Sequence, residues 1–247
     1  MSQQRRAVLV TGAGGGLGRA VSQAFARAGY DVAVNYGHSR DDAETTAEAV
    51  RACGGHAQLV HADVADDTAV RAMVDAVVAA FGGLDVLVNN AGVTQFIPMA
   101  DLEAITDEHW DLLLGVNLKG PFYCARAAAP HLRQRHGCVV NVTTTSAFLP
   151  GGSSIPYMAS KAGLVMLTRS LAQALRPEVR ANAVAPGWLD TGWWDKYAPP
   201  EVKAHLHSPT YPAPADLDDI ARAVLLLAET PSINGQTLVV DRGQLMR

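Results

Sequence analysis

The chain has 247 residues, 49% of them hydrophobic and 18% charged, with a formal net charge of −4. This balance excludes a disordered or collagen-like polymer and suits a buried sheet covered by helices, and α/β proteins of this length commonly fold as one unit. No cluster of Lys and Arg forms the footprint of a nucleic-acid or anionic-membrane binder, so a small molecule is the expected partner.

The first predicted element is a strand over Ala7 to Val10, followed at once by T-G-A-G-G-G-L-G, Thr11 to Gly18, and a helical pattern over Arg19 to Ala28. Glycines let the backbone turn tightly against a ligand, and the free N–H groups and positive dipole of a helix start attract an anion. Its place between strand and helix makes this turn a predicted dinucleotide-phosphate site. A second strand, Asp31 to Asn35, precedes a helix over Asp42 to Ala52, and a third, Gln58 to His61, precedes one over Ala69 to Phe81. A fourth strand, Val86 to Val88, leads to a long helical stretch from His109 to Arg135; a fifth, Val139 to Val142, leads to a helix over Ser160 to Leu175. Strands over Asn182 to Val184 and Leu238 to Val240 complete seven. Strands joined by helical crossovers are parallel neighbours, so the expectation is a doubly wound α/β fold of the Rossmann type. It predicts a seven-stranded parallel sheet with helices on both faces and functional residues just after the strands. The stretch from Gly192 to Ala215, with Trp193, Trp194, Tyr197 and Tyr211, shows no clear period. Residues 192–215 are therefore expected to be a substrate loop or lid within a single dinucleotide-binding and catalytic domain spanning 1–247.

The second strand ends Val34-Asn35-Tyr36-Gly37-His38-Ser39-Arg40 and carries no acid. An acid there accepts from the ribose hydroxyls in NAD sites and repels a 2′-phosphate. Its absence, with Ser39 and Arg40 able to reach a phosphate, favours NADP(H), with NAD(H) possible. Further on, Tyr157 and Lys161 stand four apart in a helical stretch, one turn apart on one face. A nearby ammonium favours a phenolate, so a fall in the tyrosine pKa of about two to three units, worth about 3 to 4 kcal/mol, is expected.

The spacing T-G-x-x-x-G-x-G, together with N-N-A-G at Asn89 to Gly92, Y-x-x-x-K at Tyr157 and Lys161, and P-G-x-x-x-T at Pro186, Gly187 and Thr191, resembles the short-chain dehydrogenase/reductase family. Asn234-Gly235-Gln236 and Asp241 are similar to its C-terminal sheet closure. In overall look the chain is similar to the family's 3-oxoacyl-carrier-protein reductases and related ketoreductases. The resemblance implies hydride transfer between a nicotinamide and a ketone/secondary alcohol pair, with Tyr157 as general acid or base and Lys161 also holding the nicotinamide ribose. The family's third member is a serine thirteen residues before the tyrosine; here that position is Thr144, whose added methyl narrows the pocket, and Ser146 is the alternative hydroxyl. Asn117 matches the asparagine that links the lysine to solvent. Cofactor contacts are implied at Thr11, Gly12, Gly16, Leu17, Gly18, Asn90, Ala91, Gly92, Pro186, Gly187 and Thr191, with Asp63 and Val64 at the adenine, although Asp63 could equally cap the following helix.

The substrate is expected among Thr94, Phe96, the Gly151 to Ile155 loop, Ser146, Trp188, Trp193 and Trp194, aromatics that suit an apolar or ring-containing carbonyl compound. The rival readings are an NAD-dependent alcohol or sugar dehydrogenase and a catalytically weak dinucleotide-binding regulator. A homo-tetramer is implied, with a dimer as the alternative, built on the helices around Asn117 and after Tyr157. The eight histidines show no metal-ligand spacing, so no metal is expected. Cys53, Cys124 and Cys138 read as reduced thiols, and with neither a signal-peptide core nor an apolar run of membrane length the chain is expected in the cytoplasm.

Overall fold

The computed structural model describes residues 5–208 and 212–246. In chain order, β1 (Ala7–Val10) leads to α1 (Gly16–Arg27), β2 (Asp31–Tyr36) to α2 (Arg40–Ala52), and β3 (Ala57–His61) to α3 (Asp67–Phe81). β4 (Val86–Asn89) is followed by α4 (Asp107–Leu114), a π turn over Gly115–Lys119 and α5 (Gly120–Arg135), and β5 (Cys138–Val142) by α6 (Ile155–Ala174). β6 (Arg180–Pro186), α7 (Gly192–Tyr197), α8 (Pro200–Leu206), α9 (Leu217–Glu229) and β7 (Thr237–Val240) complete the order. The strands form the expected parallel sheet, ordered β3-β2-β1-β4-β5-β6-β7. The winding reverses between β1 and β4, which opens a crevice at the carboxyl ends of those two strands.

Alternation along each strand fills two apolar layers. Val8 and Val10 of β1 pack with α1, α2 and α9, and Leu9 packs with α3, α5 and α6 on the other face. All three are fully buried, each contributing about 1.5–3 kcal/mol relative to exposure. Polar residues within the sheet hydrogen-bond in a chain, Asn89 Nδ2 donating to Asn141 Oδ1 (2.8 Å) and Asn141 Nδ2 to Thr168 Oγ1 on α6 (2.8 Å), while Asn89 Oδ1 has no partner among the described residues.

Four parts of the chain differ from expectation. The helix predicted from His109 to Arg135 is broken by the π turn at Gly115–Lys119. α6 begins at Ile155 rather than Ser160, with Pro156 in its first turn, where a missing N–H costs nothing. The stretch read as aperiodic holds α7 and α8, of six and seven residues, too short for a period to show. α9 was not expected at all, although Asp216 caps it by accepting from Asp218 N (2.7 Å). No helix among the described residues is long and apolar enough to cross a membrane.

Candidate active site

A cleft of about 1110 Å³ runs along the carboxyl ends of the strands, from Gly14 and Ser39, past Tyr157 and Lys161, to Trp193 and His205. At one end the glycine-rich turn is built from inside. Thr11, 1% exposed, accepts at Oγ1 from Asn90 N (3.0 Å) and Ala91 N (3.1 Å), and Asn90 Nδ2 donates to the carbonyls of Thr11 and Gly12 (both 2.9 Å). Asn35 Oδ1 accepts from Gly12 N (3.1 Å). Thr11 thus shapes the turn and does not line the cleft, whereas Asn90 does both.

Gly12 has φ +60, and a Cβ there would lie 2.7 Å from Ala91 Cα. At Gly18 a Cβ would lie 2.5 Å from the Gly12 carbonyl oxygen and 2.8 Å from Ala13 Cα, backbone that cannot swing aside. Gly15 has nothing within 4 Å. Gly18→Ala is therefore expected to destabilise the protein by about 2–3 kcal/mol through overpacking and to abolish tight cofactor binding, while Gly15→Ala changes neither. Melting temperatures and fluorescence titrations with NADPH check both. The turn fits a dinucleotide pyrophosphate: α1 has no side-chain cap, so its first N–H groups face the cleft side unpaired by the helix.

The other end of the cleft rests on β5 and α6. Thr144, extended after β5, and Tyr157, in the first turn of α6, both line the cleft, and Thr144 Oγ1 accepts from Ser146 N (3.3 Å). One turn further, Lys161 is 5% exposed and its Nζ donates to the carbonyl of Val142 (3.0 Å). Burial pushes the Tyr157 phenol up to about 12, against the Thr144 hydrogen bond, which pulls it down. Burial also brings the Lys161 ammonium down to about 8. The lowered tyrosine pKa expected from the Tyr/Lys spacing is thus corrected: in this pocket desolvation is the larger cause, and the group that opposes it is the Thr144 hydroxyl rather than the Lys161 ammonium. Ser146 lines the cleft as well.

Asn117, fully buried in the π turn, uses both ends of its amide on Val93: Oδ1 accepts from Val93 N and Nδ2 donates to Val93 O, each at 2.9 Å. Nδ2 also donates to Ser160 Oγ (3.2 Å), which donates to Tyr157 O (2.7 Å). A Cβ on Gly92 would meet Asn117 Oδ1 at 3.4 Å and Lys161 Nζ at 3.5 Å, so both groups border Gly92. Thr94 is fully buried and hydrogen-bonds Ser153 Oγ; it holds the cleft wall rather than facing the cleft. With Ile97 N donating to Ser153 O (2.9 Å), it ties the Phe96 wall to the glycine-containing loop before α6.

A family model described as enoyl-(acyl carrier protein) reductase matches residues 12–244. A ketoacyl reductase of the granaticin polyketide synthase from Streptomyces violaceoruber is 44% identical over 95% of this chain and 94% of its own. The 3-oxoacyl-(acyl-carrier-protein) reductase of Staphylococcus aureus is 38% identical over 98% of both chains. A short-chain dehydrogenase from Burkholderia cenocepacia, solved in complex with NADP, superposes with a TM-score of 0.86 at 35% identity, covering 97% of each chain. The chain belongs to the short-chain dehydrogenase/reductase family. It is an NAD(P)-dependent oxidoreductase acting on CH–OH and C=O groups.

In this short-chain dehydrogenase/reductase, the wall of the cleft includes Gly12, Gly16, Leu17, Gly18, Tyr36, Ser39, Asp63, Val64, Asn90, Ala91, Gly92, Pro186, Gly187 and Thr191. On the substrate side it includes Phe96, Thr144, Ser146, Trp188 and Trp193. Arg40 departs from its expected place. It is exposed, its Nε reaches Glu44 Oε1 (2.8 Å), and it is not part of the wall. Arg19, which the sequence reading passed over, is: its Nη2 donates to Gly14 O (3.0 Å) and its Nε to Thr46 Oγ1 (3.0 Å). Asp63 Oδ1 accepts from Ala65 N (2.9 Å), a local turn rather than a cap on α3, whose cap is Asp66. Also missed were Lys196, Glu201 and His205 of the lid segment and Gln244 at the chain's end. None belongs to a motif, and only their tertiary positions bring them to the cleft. Tyr211 and the side chain of Trp194 lie outside the described residues.

Proposed function

We propose that the protein is an NADP(H)-dependent ketoreductase, the observation that carries this reading being the placement of Thr144 and Tyr157 together on the wall of a glycine-lined cleft, with buried Lys161 one turn further along α6. When bound, the nicotinamide supplies or accepts the hydride. Tyr157 donates its phenolic proton to the carbonyl oxygen in reduction and takes it back in oxidation. Thr144 steadies the same oxygen, which the two hydroxyls approach together. Lys161 holds the nicotinamide ribose and balances charge as the phenol gives up its proton, and Asn117 fixes the Gly92–Val93 backbone against which Lys161 lies. Residues 192–215 serve as the lid, and Trp188, Trp193 and Phe96 favour an apolar or ring-containing ketone. Free thiols at Cys53, Cys124 and Cys138 suit a reducing cytoplasm. Exposed Leu112, Phe122 and Met166, on α4, α5 and α6, suit a homo-tetramer built on these helices.

The preference for NADP(H) over NAD(H) rests on Ser39, on the lack of an acid ending β2, and on Arg19 in place of Arg40, with Asp42 at the same rim acting against it. Arg19→Ala is expected to weaken NADPH about tenfold, or about 1.4 kcal/mol, and NADH by less than about twofold; Arg40→Ala changes neither. Fluorescence titration of the two cofactors measures this directly. The test of the function itself is consumption of NADPH and of NADH with a panel of aryl ketones, β-keto esters, diketones and quinones. Oxidation of NADPH by wild type supports the reading. Binding of both cofactors without turnover sinks it in favour of a dinucleotide-binding regulator.

A further inference from the structure

The loop before α6 is held at two successive residues in two different ways. Ser153 is tied across the cleft mouth to the Phe96 wall: its Oγ hydrogen-bonds Thr94 Oγ1, and its carbonyl accepts from Ile97 N (2.9 Å). Gly152 is tied to the helix instead. Its N–H donates to Met158 Sδ (3.3 Å), and Met158, half-buried, is the residue after Tyr157 on α6. A thioether is a weak acceptor, but a polarizable one on an unbranched stem that can be laid against a backbone.

Gly152 also has no room around it. A Cβ there would lie 2.9 Å from Met158 Cγ and 3.2 Å from Ser146 Cβ, with Ser146 Oγ at 3.3 Å. The glycine thus lies against both side chains. Ser146 and Gly152 belong to the cleft wall together with Thr144 and Tyr157, whereas Met158 is not part of that wall. The preceding residue is the opposite case: Gly151 is exposed at φ +127, and a Cβ on it would have nothing within 4 Å. The loop is free up to Gly151 and fixed from Gly152 onward, and the thioether stands where the change occurs.

We propose that Met158 is a positioning residue for the substrate: by accepting from Gly152 N, its sulfur holds the loop against Ser146 and so sets the affinity for the ketone without touching it. This rests on the ketoreductase reading above for what the loop binds. A glycine pair released from its anchor samples more backbone conformations, and a ligand that needs the loop in one place must then order it at the expense of affinity. The glycine-rich turn lies at the other end of the cleft, so cofactor affinity is expected to stay as it is.

Two variants separate the acceptor from the space it fills. Met158→Leu keeps an apolar side chain of similar volume and removes the sulfur; Met158→Gln keeps the unbranched stem and supplies an amide oxygen. The first measurement is hydrogen–deuterium exchange of the ligand-free protein, followed in peptides that contain Gly152. Exchange there is expected to quicken about fivefold in Met158→Leu, the scale of one lost hydrogen bond, and to stay within about twofold of wild type in Met158→Gln. The second is steady-state reduction of ethyl acetoacetate by NADPH. Met158→Leu raises KM about fivefold, with kcat and the Kd for NADPH within about twofold, and Met158→Gln restores KM. Unchanged exchange in Met158→Leu, equal losses in both variants, a fall in kcat in place of the rise in KM, or weakened NADPH binding overturns the proposal. Exchange needs no turnover, so a wild-type protein that reduces no ketone fails as a ketoreductase while the exchange result still decides whether the thioether holds Gly152.

Discussion

Tyr157→Phe is expected to lower turnover by about 10³-fold, the scale of a lost general acid, while the Kd for NADPH moves by less than about twofold. The ring and its packing stay; what goes is the hydroxyl at the cleft, beside Thr144. Thr144→Ala should fall between wild type and Tyr157→Phe, since it removes the partner of the proton donor and not the donor. The direction of catalysis follows from the pKa shifts. With the phenol up at about 12, Tyr157 holds its proton at neutral pH and is ready to reduce a carbonyl. Alcohol oxidation needs the phenolate and should climb with pH throughout the range in which the protein is stable. Lys161, down at about 8, loses its charge above that pH. Reduction is therefore expected to be flat below pH 8 and to fall above it, and kcat/KM profiles in both directions measure this. A reduction rate that rose above pH 8 would exclude a protonated Lys161 as the working form.

Lys161→Met is expected to abolish activity and yet raise the melting temperature. The ammonium is 5% exposed, and among the described residues the one acceptor of its Nζ is the Val142 carbonyl. The distance from its ordinary value of 10.5 to about 8 corresponds to about 3 kcal/mol of unfavourable burial. Met fills a similar volume without a charge. After allowing for the acceptor left at Val142, a net gain of about 2 kcal/mol, or about 5 °C in melting temperature, is expected. The gain has a pH signature. The unfolded chain holds the lysine proton up to 10.5 and the folded chain only to about 8, so the penalty is fully present below pH 8 and fades between 8 and 10.5. The difference between variant and wild type, measured by denaturant titration, should shrink over that window. A variant less stable than wild type at pH 7 would show that the ammonium is held by more than the Val142 carbonyl.

Much of the fold was legible because the strands are short apolar runs between long helical patterns: β1 falls on Ala7–Val10 as predicted, and each other strand overlaps its predicted run. What failed to show was what depends on distant contacts. Asn117 could be singled out as an odd residue in a helix, but the π turn that gives it Val93 as a partner leaves no mark on hydrophobic spacing. Arg40 and Arg19 are both cations near the cofactor turn in sequence; only the helix phase that sends Arg40 towards Glu44 separates them. Thr11 and Thr94 read as ligand contacts because they flank the cleft, and their burial against Asn90, Ala91 and Ser153 could not be seen without the fold. The Tyr/Lys pair was found by spacing alone, yet its charge state depends on burial, which spacing does not report. Gln244, some eighty residues beyond Lys161, belongs to no motif, and the fold alone brings it to the cleft.

The π turn also constrains how this chain can change in length. A π turn closes i→i+5 instead of i→i+4, so it takes one extra residue into a turn while the helices on either side keep nearly the phase they would have without it. A single deletion within Gly115–Lys119 that restored regular winding would leave the apolar stripes of α4 and α5 facing the sheet and remove only the widened turn that sets Asn117 against Val93. The packing would survive while the polar anchor went. Loss of one residue here is thus tolerable to the fold and costly to the site.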